Sequence, residues 1–428
     1  MVKRKLFYFL IRFFWEYLLI ISLCIVILGC SQKDSGKEKT LELWTISLKP
    51  YFTDYMENTI AKFEQKEGIK VKWLDIPLES LQQKLMASLA AKNPPDLVNL
   101  NTYFLYVLAK SGVLLPLEDK LTQEERNRYL PFLWEANCIG GKCFALPWYV
   151  STKLIIFNKK IFSKAGLPPK APGSREEIIK FARKIKERTN FYGFMPAISL
   201  TEDFQLANVP ILDNNGEAVF ARPEAANILE EYQQLIKDKV IPPETLTEGY
   251  QGAVERYQGD ELGMLITGPQ FLLRIKDNSP EVYLNTDVGY FPAGKKGKVP
   301  VSVMNLAIIA KEGNQKEAVK LALFITSPEC QVEFAHLVPV LPSTRESLTN
   351  PFFTSLISGD LMAKARVLSA KQLERGIELT VKTTDITLLN KLLKEALERT
   401  CMNGEDPLKM LSFAEEEFNK FKKERKEK

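Results

Sequence analysis

The sequence contains a single histidine among its 428 residues, and this scarcity excludes several kinds of site. Zinc sites built from several histidines, and the HExxH motif of metalloproteases, need at least two. His336 itself lies in the apolar segment 334–337, which favours a packing role over that of a catalytic base. The chain also lacks a P-loop, a GxSxG motif and a GxGxxG motif. We therefore predict no catalytic residue, no metal site and no cofactor.

The chain also lacks a strong excess of charge of either sign. Residues 1–29 hold four basic residues and one acidic residue, so the remainder keeps 54 Lys and Arg against 52 Asp and Glu. Nucleic-acid binding usually requires a clustered basic face, which this balance does not provide. The composition therefore gives no reason to expect a nucleic-acid partner.

The first 29 residues are typical of a targeting segment, with basic residues followed by an uncharged apolar run that ends at Leu28. Gly29-Cys30 then completes the pattern at which a lipoprotein signal peptidase cuts, so we predict that Cys30 is lipidated. A cleaved secretory signal is one alternative. An uncleaved membrane anchor is another, but it would place Arg12 and Glu16 in hydrocarbon at about 2.5 to 3.5 kcal/mol each. The polar segment 31–40 would be a flexible tether.

Four cysteines follow the tether, an even number that fits an oxidising compartment. Cys138 and Cys143 flank Gly140-Gly141, a pair suited to a two-residue hairpin turn because both glycines accept positive φ. The two cysteines would then face each other as a non-hydrogen-bonded pair, within reach of disulfide geometry. Two reduced cysteines that are neighbours by accident are the alternative. Any pairing of Cys330 and Cys401 stays open.

The order of apolar patterns predicts an α/β fold. The segments 41–46, 69–73 and 96–100 look like short strands, and helical periodicity separates them. Strand, helix and strand in succession imply parallel crossovers, with helices on the faces of a sheet. Nearly 400 residues after the tether exceed one ordinary hydrophobic core, so two lobes are expected.

Several segments, taken in order, resemble the extracellular solute-binding proteins of ABC importers, in the maltose-binding-like group. The resemblance covers nearly all of the chain after the tether. The segments that carry it are 93–98, 111–117, 141–147, 154–159, 161–167, 324–331 and 339–342. The cysteines at 138 and 143 are not part of the pattern expected for this group.

The resemblance implies two sheet-containing lobes of the periplasmic-binding-protein type, joined by a hinge, with the ligand in the cleft between them. Each lobe would be discontinuous because the chain crosses between lobes more than once. The expected division is a signal peptide 1–29, a lipidated tether 30–40, lobe 1 from 41–150 and 299–350, and lobe 2 from 151–298 and 351–428.

Two tryptophans, each with a neighbouring residue, are candidate ligand contacts because of where they stand along the chain. Trp44 and Thr45 stand near the carboxyl end of the first strand, where ligands bind in open α/β sheets. Trp148 and Tyr149 directly precede the first expected crossing between lobes. Trp148 would stack on the apolar face of a sugar ring, and Trp44 would help to wall the cleft. The alternative is that these rings only fill the core.

Polar residues at other strand ends match cleft-facing regions of the same group. Individually they could also be ordinary turn residues. The candidates are Asn101, Thr102, Tyr103, Glu202, Asp203, Phe204, Gly268, Gln270 and Asn305.

The resemblance therefore predicts a non-catalytic, monomeric, lipid-anchored protein outside the cytoplasm. It would capture a monosaccharide or oligosaccharide and deliver it to an ABC permease in the membrane. Three alternatives remain open: a surface-anchored carbohydrate-active enzyme, a binder of glycerol-phosphate-type solutes, and a sensor partner that presents sugar to a receptor.

Overall fold

The computed structural model describes residues 39–426, and their strands form two larger sheets and one short hairpin. The strands are β1 Thr40–Ile46, β2 Lys70–Ile76, β3 Leu97–Asn101, β4 Cys138–Ile139, β5 Lys142–Cys143, β6 Ala145–Thr152, β7 Leu154–Asn158, β8 Tyr192–Phe194, β9 Leu262–Thr267, β10 Thr286–Tyr290, β11 Val299–Ile308, β12 Leu341–Pro342 and β13 Gly376–Glu378.

Helices separate most of the strands along the chain, as the alternating pattern predicts. Up to residue 237 they are α1 Thr53–Glu67, α2 Leu78–Ala90, α3 Thr102–Lys110, α4 Gln123–Asn127, α5 Pro131–Ala136, α6 Lys159–Lys164, α7 Arg175–Arg188, α8 Leu200–Leu206 and α9 Pro223–Lys237. After residue 237 they are α10 Gly249–Gln258, α11 Phe271–Asn278, α12 Pro280–Leu284, α13 Gln315–Ile325, α14 Pro328–Leu337, α15 Arg345–Leu348, α16 Pro351–Thr354, α17 Leu361–Gln372, α18 Ile386–Asn403 and α19 Pro407–Lys426, with 3-10 turns at Pro243–Leu246 and Leu373–Arg375.

The first sheet has the strand order β12-β6-β11-β3-β1-β2, and β13 extends it by pairing with β11. β1 and β3 are parallel neighbours, with Leu43 opposite Leu97. The chain between them passes through α1, β2 and α2, which gives the crossover connections that parallel strands require. β11 runs antiparallel to both β3 and β6 and lies at the centre of the sheet.

The second sheet has the order β10-β7-β9-β8. β7 lies between β10 and β9, antiparallel to both, and all five of its residues are buried. A continuous apolar run of this kind is what a strand covered on both faces needs. Separate apolar clusters pack around each sheet, so each sheet is the centre of its own core.

The chain passes between the two sheets three times. β6 continues into β7 through Lys153, residues 291–298 lead from β10 back to β11, and residues 379–385 lead from β13 to α18. Two sheets with separate cores, joined by several short connections, form the two-lobe α/β fold that the sequence predicts. β13 belongs to the first sheet, although the expected division placed residues 351–428 in lobe 2.

The expected signal peptide 1–29, the lipidation candidate Cys30 and the tether as far as residue 38 lie outside the described residues. Within residues 39–426, no helix combines the length and the apolar character needed to cross a membrane.

Candidate ligand-binding site

A cavity of about 750 Å³ lies beside the first two connections between the sheets. We call it the interlobe cavity. Its floor includes Ser151 and Ser302, which face each other across β6 and β11. Its walls come from helices α7, α8, α9, α10 and α11 of the second lobe. A cavity of this size, with mixed apolar and polar walls, is typical of a small-molecule site.

Arg175, the first residue of α7, links the charged groups of the interlobe cavity. Its guanidinium donates to Glu231 Oε1 from Nε at 2.9 Å and from Nη2 at 2.6 Å. Its Nη1 lies 3.4 Å from Asp203 Oδ1. A cation in the first turn of a helix is disfavoured by the helix dipole, so these two carboxylates stabilise it where it stands.

Tyr232 completes this network from α9, where its hydroxyl donates to Asp203 Oδ2 at 2.9 Å. Burial raises the pKa of Tyr232 well above its ordinary value, and the nearby Asp203 carboxylate raises it further. Burial lowers the pKa of Arg175, but Tyr232, Asp203 and Glu231 outweigh that effect and leave it raised. Tyr232 therefore keeps its proton, and Arg175 keeps its charge, across the physiological pH range.

Glu202 and Asp203 stand in the first turn of α8, where the helix dipole favours carboxylates. Glu202 forms an ion pair with Lys153, the residue that joins β6 to β7. The first connection between the lobes is therefore tied to the same helix that carries Asp203.

The charged side chains that line the interlobe cavity nearly balance. The basic ones are Lys153, Arg175 and Lys295, and the acidic ones are Glu176, Glu202, Asp203 and Glu231. Such a balance favours an uncharged polar ligand over a phosphorylated or carboxylated one, because neither sign of charge is left in large excess.

An aromatic wall, which sequence reasoning missed, flanks these polar groups. Tyr250 is 55% exposed, and its ring centroid lies 5.6 Å from that of Phe271. Phe291 from the second connection and Tyr232 also line the interlobe cavity. Aromatic faces provide stacking surfaces for the apolar faces of sugar rings. No local motif marks these four positions, which are far apart in the sequence.

Gly268 and Gln270, both predicted, line the interlobe cavity after β9. The Gln270 side chain lies over Gly268, where a Cβ would stand 2.1 Å from its Oε1. That Oε1 atom is buried, and no group among the described residues donates to it. It is therefore a buried acceptor without a donor in the described part of the chain, on a side chain that lines the interlobe cavity.

Thr45 lies outside the interlobe cavity, at the end of β1. It is fully buried, and its hydroxyl donates to Asp75 Oδ1 at 2.6 Å. The same hydroxyl oxygen accepts from Trp73 Nε1 at 2.7 Å. These bonds fix the carboxyl ends of β1 and β2 next to each other.

Asn101, Thr102 and Tyr103 form the junction of β3 and α3 rather than part of the cavity wall. Asn101 caps the helix, because its Oδ1 accepts from Phe104 N–H at 2.8 Å. Thr102 is buried, and Tyr103 is half-buried. Asn101 therefore has a structural role in this conformation.

The strand register places this junction near the cavity. Asn101 pairs with Met304 of β11, which in turn pairs with Tyr149 of β6. Ser302 and Ser151 stand two residues further along the same two strands, a distance of about 7 Å. The junction of Asn101, Thr102 and Tyr103 therefore lies beside the interlobe cavity, although these residues do not line it.

Trp148 requires a correction, because it packs inside the first lobe and does not face the cleft. Its side chain is fully buried, and its ring stacks on Phe334 with centroids 5.7 Å apart and planes 18° apart. Leu146, two residues earlier on β6, joins the same cluster, as strand alternation requires. A sugar ring cannot reach Trp148 in this arrangement.

Trp44 and Phe204 also belong to cores. Trp44 is 4% exposed, packs with Leu81 and Leu85 of α2, and donates from Nε1 to Glu42 at 2.7 Å. Phe204 is fully buried within the second lobe. For these two residues the alternative interpretation, that the ring fills the core, fits the structure.

Asn305 is likewise a core residue in the middle of β11. It is fully buried, its Oδ1 accepts from Asn137 Nδ2 at 2.7 Å, and its backbone oxygen accepts from Asn99 Nδ2 at 3.1 Å. These bonds join β3 and the start of the hairpin to β11. Asn305 therefore organises the first sheet and does not contact a ligand here.

Cys138 and Cys143 form a disulfide across the β4–β5 hairpin. Gly140 and Gly141 occupy the turn with φ of 60° and 81°, a conformation that suits glycine. Lys382 Nζ, from the third connection, donates to the Cys138 carbonyl at 3.1 Å. The hairpin therefore contacts the third connection and lies outside the interlobe cavity. Cys330 and Cys401 are not bonded to each other.

Residues 48–332 match the family model described as bacterial extracellular solute-binding protein. The chain belongs to this family. Its members are binding proteins that work outside the cytoplasm. The match includes β2, β3, β6 and β11 of the first sheet, all four strands of the second sheet and every residue named above in the interlobe cavity.

Known proteins with similar sequences include two curated binding proteins. The diacetylchitobiose-binding protein DasA of Streptomyces coelicolor is 26% identical over 334 residues, which cover 69% of this chain and 73% of DasA. The arabinooligosaccharide-binding protein of Bacillus subtilis is 23% identical over 301 residues, which cover 65% of this chain and 67% of that protein.

A crystal structure with a similar fold comes from Synechococcus sp. MITs9220, a candidate oligosaccharide periplasmic-binding protein. It is 32% identical, with a TM-score of 0.83, and the match covers 90% of this chain and 99% of that one. The predicted fold and family are thus confirmed.

Proposed function

We propose that the protein captures a neutral sugar, a monosaccharide or short oligosaccharide, in the interlobe cavity and delivers it to an ABC permease. The observation that carries the proposal is the hydrogen-bonded network of Arg175, Asp203, Glu231 and Tyr232 beside an aromatic wall. Sugar hydroxyls both donate and accept, so they match fixed carboxylates and a fixed cation. The sugar's C–H faces match aromatic rings.

The near balance of charge supports a neutral ligand over a glycerol-phosphate-type solute. A phosphate group would be recognised by unpaired Arg or Lys side chains or by helix N-termini. Arg175 is already shared between two carboxylates, and Lys153 is paired with Glu202. The two similar curated proteins bind oligosaccharides by name, which points in the same direction.

The proposed site is shared between the lobes in the closed state. Glu202, Asp203, Gly268 and Gln270 would contact the sugar from lobe 2. Closure about the connections would bring the sheet edge that holds Thr45, Asn101, Thr102, Tyr103 and Tyr149 toward it. A ligand favours the closed state by its differential affinity for it. In this proposal lobe 1 carries the first sheet, including β13, and lobe 2 carries the second sheet together with α18 and α19.

Lipidation of Cys30 would hold this monomeric protein at the outer face of a membrane, close to its permease partner. Two or three acyl chains are needed for stable anchoring, since a single chain binds a bilayer only marginally. Cys30→Ala expressed in its host should yield an unprocessed precursor that incorporates no labelled fatty acid. Label entering the variant would contradict the assignment.

The ligand class is tested by thermal unfolding of residues 31–428 in the presence of a panel of sugars. Diacetylchitobiose, arabino-oligosaccharides, maltose-type oligosaccharides and their monosaccharides form the panel, with glycerol 3-phosphate as the charged comparison. A ligand that binds only the folded state raises the melting temperature by mass action. We expect a neutral sugar to raise it. A response to glycerol 3-phosphate alone would overturn the proposal.

A further inference from the structure

A second cavity, of about 1,100 Å³, adjoins the interlobe cavity at the second connection. The two cavities meet where Lys295 N–H donates to the Leu206 carbonyl at 2.9 Å. Leu206 and Lys295 line the interlobe cavity, whereas their chain neighbours Gln205 and Lys296 line the second one. The second cavity is therefore a separate space with its own chemistry, and we call it the basic cavity.

Side chains from both lobes surround the basic cavity. Tyr106 and Lys110 come from α3 of the first lobe. Lys296 comes from the second connection, residues 379–385 are the third connection, and Lys422 and Arg425 come from α19. A molecule held here would contact the first lobe, two of the three connections and the C-terminal helix.

Positive charge dominates this cavity, in contrast to the interlobe cavity. Its basic residues are Lys110, Lys296, Lys382, Lys422 and Arg425, and its acidic residues are Asp213 and Asp385. Both carboxylates are already engaged. Asp213 Oδ1 accepts the backbone N–H groups of Asn215 and Glu217, each at 2.8 Å, and Asp385 forms an ion pair with Arg425.

The four lysines have less compensation, although Lys382 lies close enough to the Glu378 carboxyl to oppose the rise of its pKa. Among the ion pairs of the described residues, none neutralises Lys110, Lys296, Lys382 or Lys422. Lys382 and Lys422 donate instead to backbone carbonyls, those of Cys138 and Gly216. Uncompensated like charges around one space repel each other, and an anion would relieve that repulsion.

The hydroxyl groups of the third connection add hydrogen-bond donors to the same wall. Thr383 Oγ1 accepts from the Asp385 N–H at 3.2 Å, and Thr384 Oγ1 accepts from Arg425 at 3.4 Å. Each hydroxyl also has a hydrogen that it can donate to a ligand. The lysine ammonium groups can only donate hydrogen bonds, so the side chains of this wall mainly offer hydrogen-bond donors. A ligand rich in acceptor oxygens and negative charge is its complement.

We propose that the basic cavity binds a small oxyanion that carries two or more negative charges, at a site distinct from the sugar cleft. Several cations from different helices and connections bind a ligand with two or more separated negative charges better than a ligand with one negative charge. Polyphosphates and polycarboxylates share this chemistry. Because the ligand would bridge the first lobe and the connections, it would hold them together while bound.

Pyrophosphate and citrate, used as separate probes on residues 31–428 in the absence of sugar, test the proposal. Thermal unfolding is followed at constant ionic strength, with sodium chloride replacing the probe in the reference. At a tenfold excess over its dissociation constant, a bound probe should raise the melting temperature by about 2 °C. A rise in melting temperature that occurs with pyrophosphate but not with citrate identifies a phosphate ligand. A rise that occurs with citrate but not with pyrophosphate identifies a carboxylate ligand.

The double variant Lys110→Ala/Lys296→Ala, which removes two cavity lysines that form no ion pair among the described residues, should lose this rise. Without probe it should be at least as stable as the wild type, because two uncompensated charges are gone; a purely structural role would make it less stable. The matched control is Lys391→Ala/Lys394→Ala, which removes two exposed lysines of α18 paired with Glu395 and Glu398. The control should respond like the wild type. No rise with either probe, or an equal rise in both double variants, would overturn the proposal.

Discussion

Tyr232 donates its hydroxyl hydrogen to Asp203 at 2.9 Å, which fixes a carboxylate of α8 from a helix that begins 20 residues later. The bond is half-buried at the wall of the interlobe cavity. It aims the remaining lone pairs of Asp203 at the cavity and at Arg175.

Tyr232→Phe should weaken sugar binding several-fold, because Asp203 loses the donor that orients it. The free energy of unfolding should fall by about 1 kcal/mol for the lost hydrogen bond. Tyr257→Phe is the matched control, since Tyr257 is also buried in the second lobe and hydrogen-bonds Thr286 at 3.0 Å outside the cavity. Urea denaturation should show a similar loss of stability in both variants, whereas calorimetry should show weaker sugar binding only in Tyr232→Phe. A loss of affinity that is equal in both would remove Tyr232 from the site.

Tyr250→Ala should weaken sugar binding by a factor of about 5 to 10, the equivalent of a stacking contact worth on the order of 1 kcal/mol. Stability should hardly change, since the side chain is 55% exposed. Phe413→Ala removes another partly exposed ring, on α19 and outside the cavity, and serves as the control. Unchanged affinity of the Tyr250 variant in calorimetry would show that the ring does not contact the ligand.

Trp148→Ala should lower the free energy of unfolding by about 3 to 5 kcal/mol, as truncation of a large core side chain does. The ring is fully buried against Phe334, so the variant leaves a cavity in the first lobe. Chemical denaturation checks this directly. A variant of wild-type stability with lost sugar affinity would support the original expectation that Trp148 stacks on a sugar.

The sequence allowed the fold to be predicted well, because apolar periodicity reports burial directly. The strand predicted at residues 96–100 is β3, Leu97–Asn101, and the buried face of α1 follows its 3.6-residue period. From Thr384 to the end the sequence pattern is helical throughout and predicts no interruption, whereas the structure has a break between α18 and α19. Its signals were present, with Gly404 left-handed at φ 71° and Pro407 opening the next helix.

The site was predicted only in part. Strand ends can be recognised in a sequence, but which residues from distant helices meet at one cavity cannot. Glu202, Asp203, Gly268 and Gln270 follow recognisable strand ends or turns, and they line the interlobe cavity. Their partners come from α7, α9 and α10, and no spacing rule connects those helices. Trp148 lies two residues after Leu146 on β6, so both side chains point to the same face of the sheet, and that face is buried in the core.

The pH dependence of stability should reflect Glu378, a half-buried carboxyl at the end of β13. Burial raises its pKa above the ordinary value of 4.5, although hydrogen bonds from Thr380 oppose the rise. The folded state therefore binds this proton more tightly than the unfolded state. The stabilisation that Glu378 gives the folded state is therefore fully present below pH 4.5, and it is lost as the pH rises through the raised pKa of Glu378.

Glu378→Gln should consequently gain stability relative to the wild type at about pH 8, with little difference at about pH 4. Glu374→Gln, an exposed carboxyl in the preceding turn, is the control and should show no such pH dependence. Urea denaturation at both pH values measures the difference. A Glu378 variant that is less stable at the higher pH would contradict this account.

Isothermal titration calorimetry on Asp203→Asn tests directly whether the sugar binds in the interlobe cavity, with the neutral sugar that stabilises the wild type as titrant. Asp287→Asn, which alters a carboxylate paired with Lys364 outside the cavity, is the matched control. The account predicts one binding site per chain in the wild type and the control, and at least a tenfold weaker affinity in Asp203→Asn, equivalent to about 1.4 kcal/mol. Wild-type affinity in the Asp203 variant would contradict the claim that the sugar binds in the interlobe cavity.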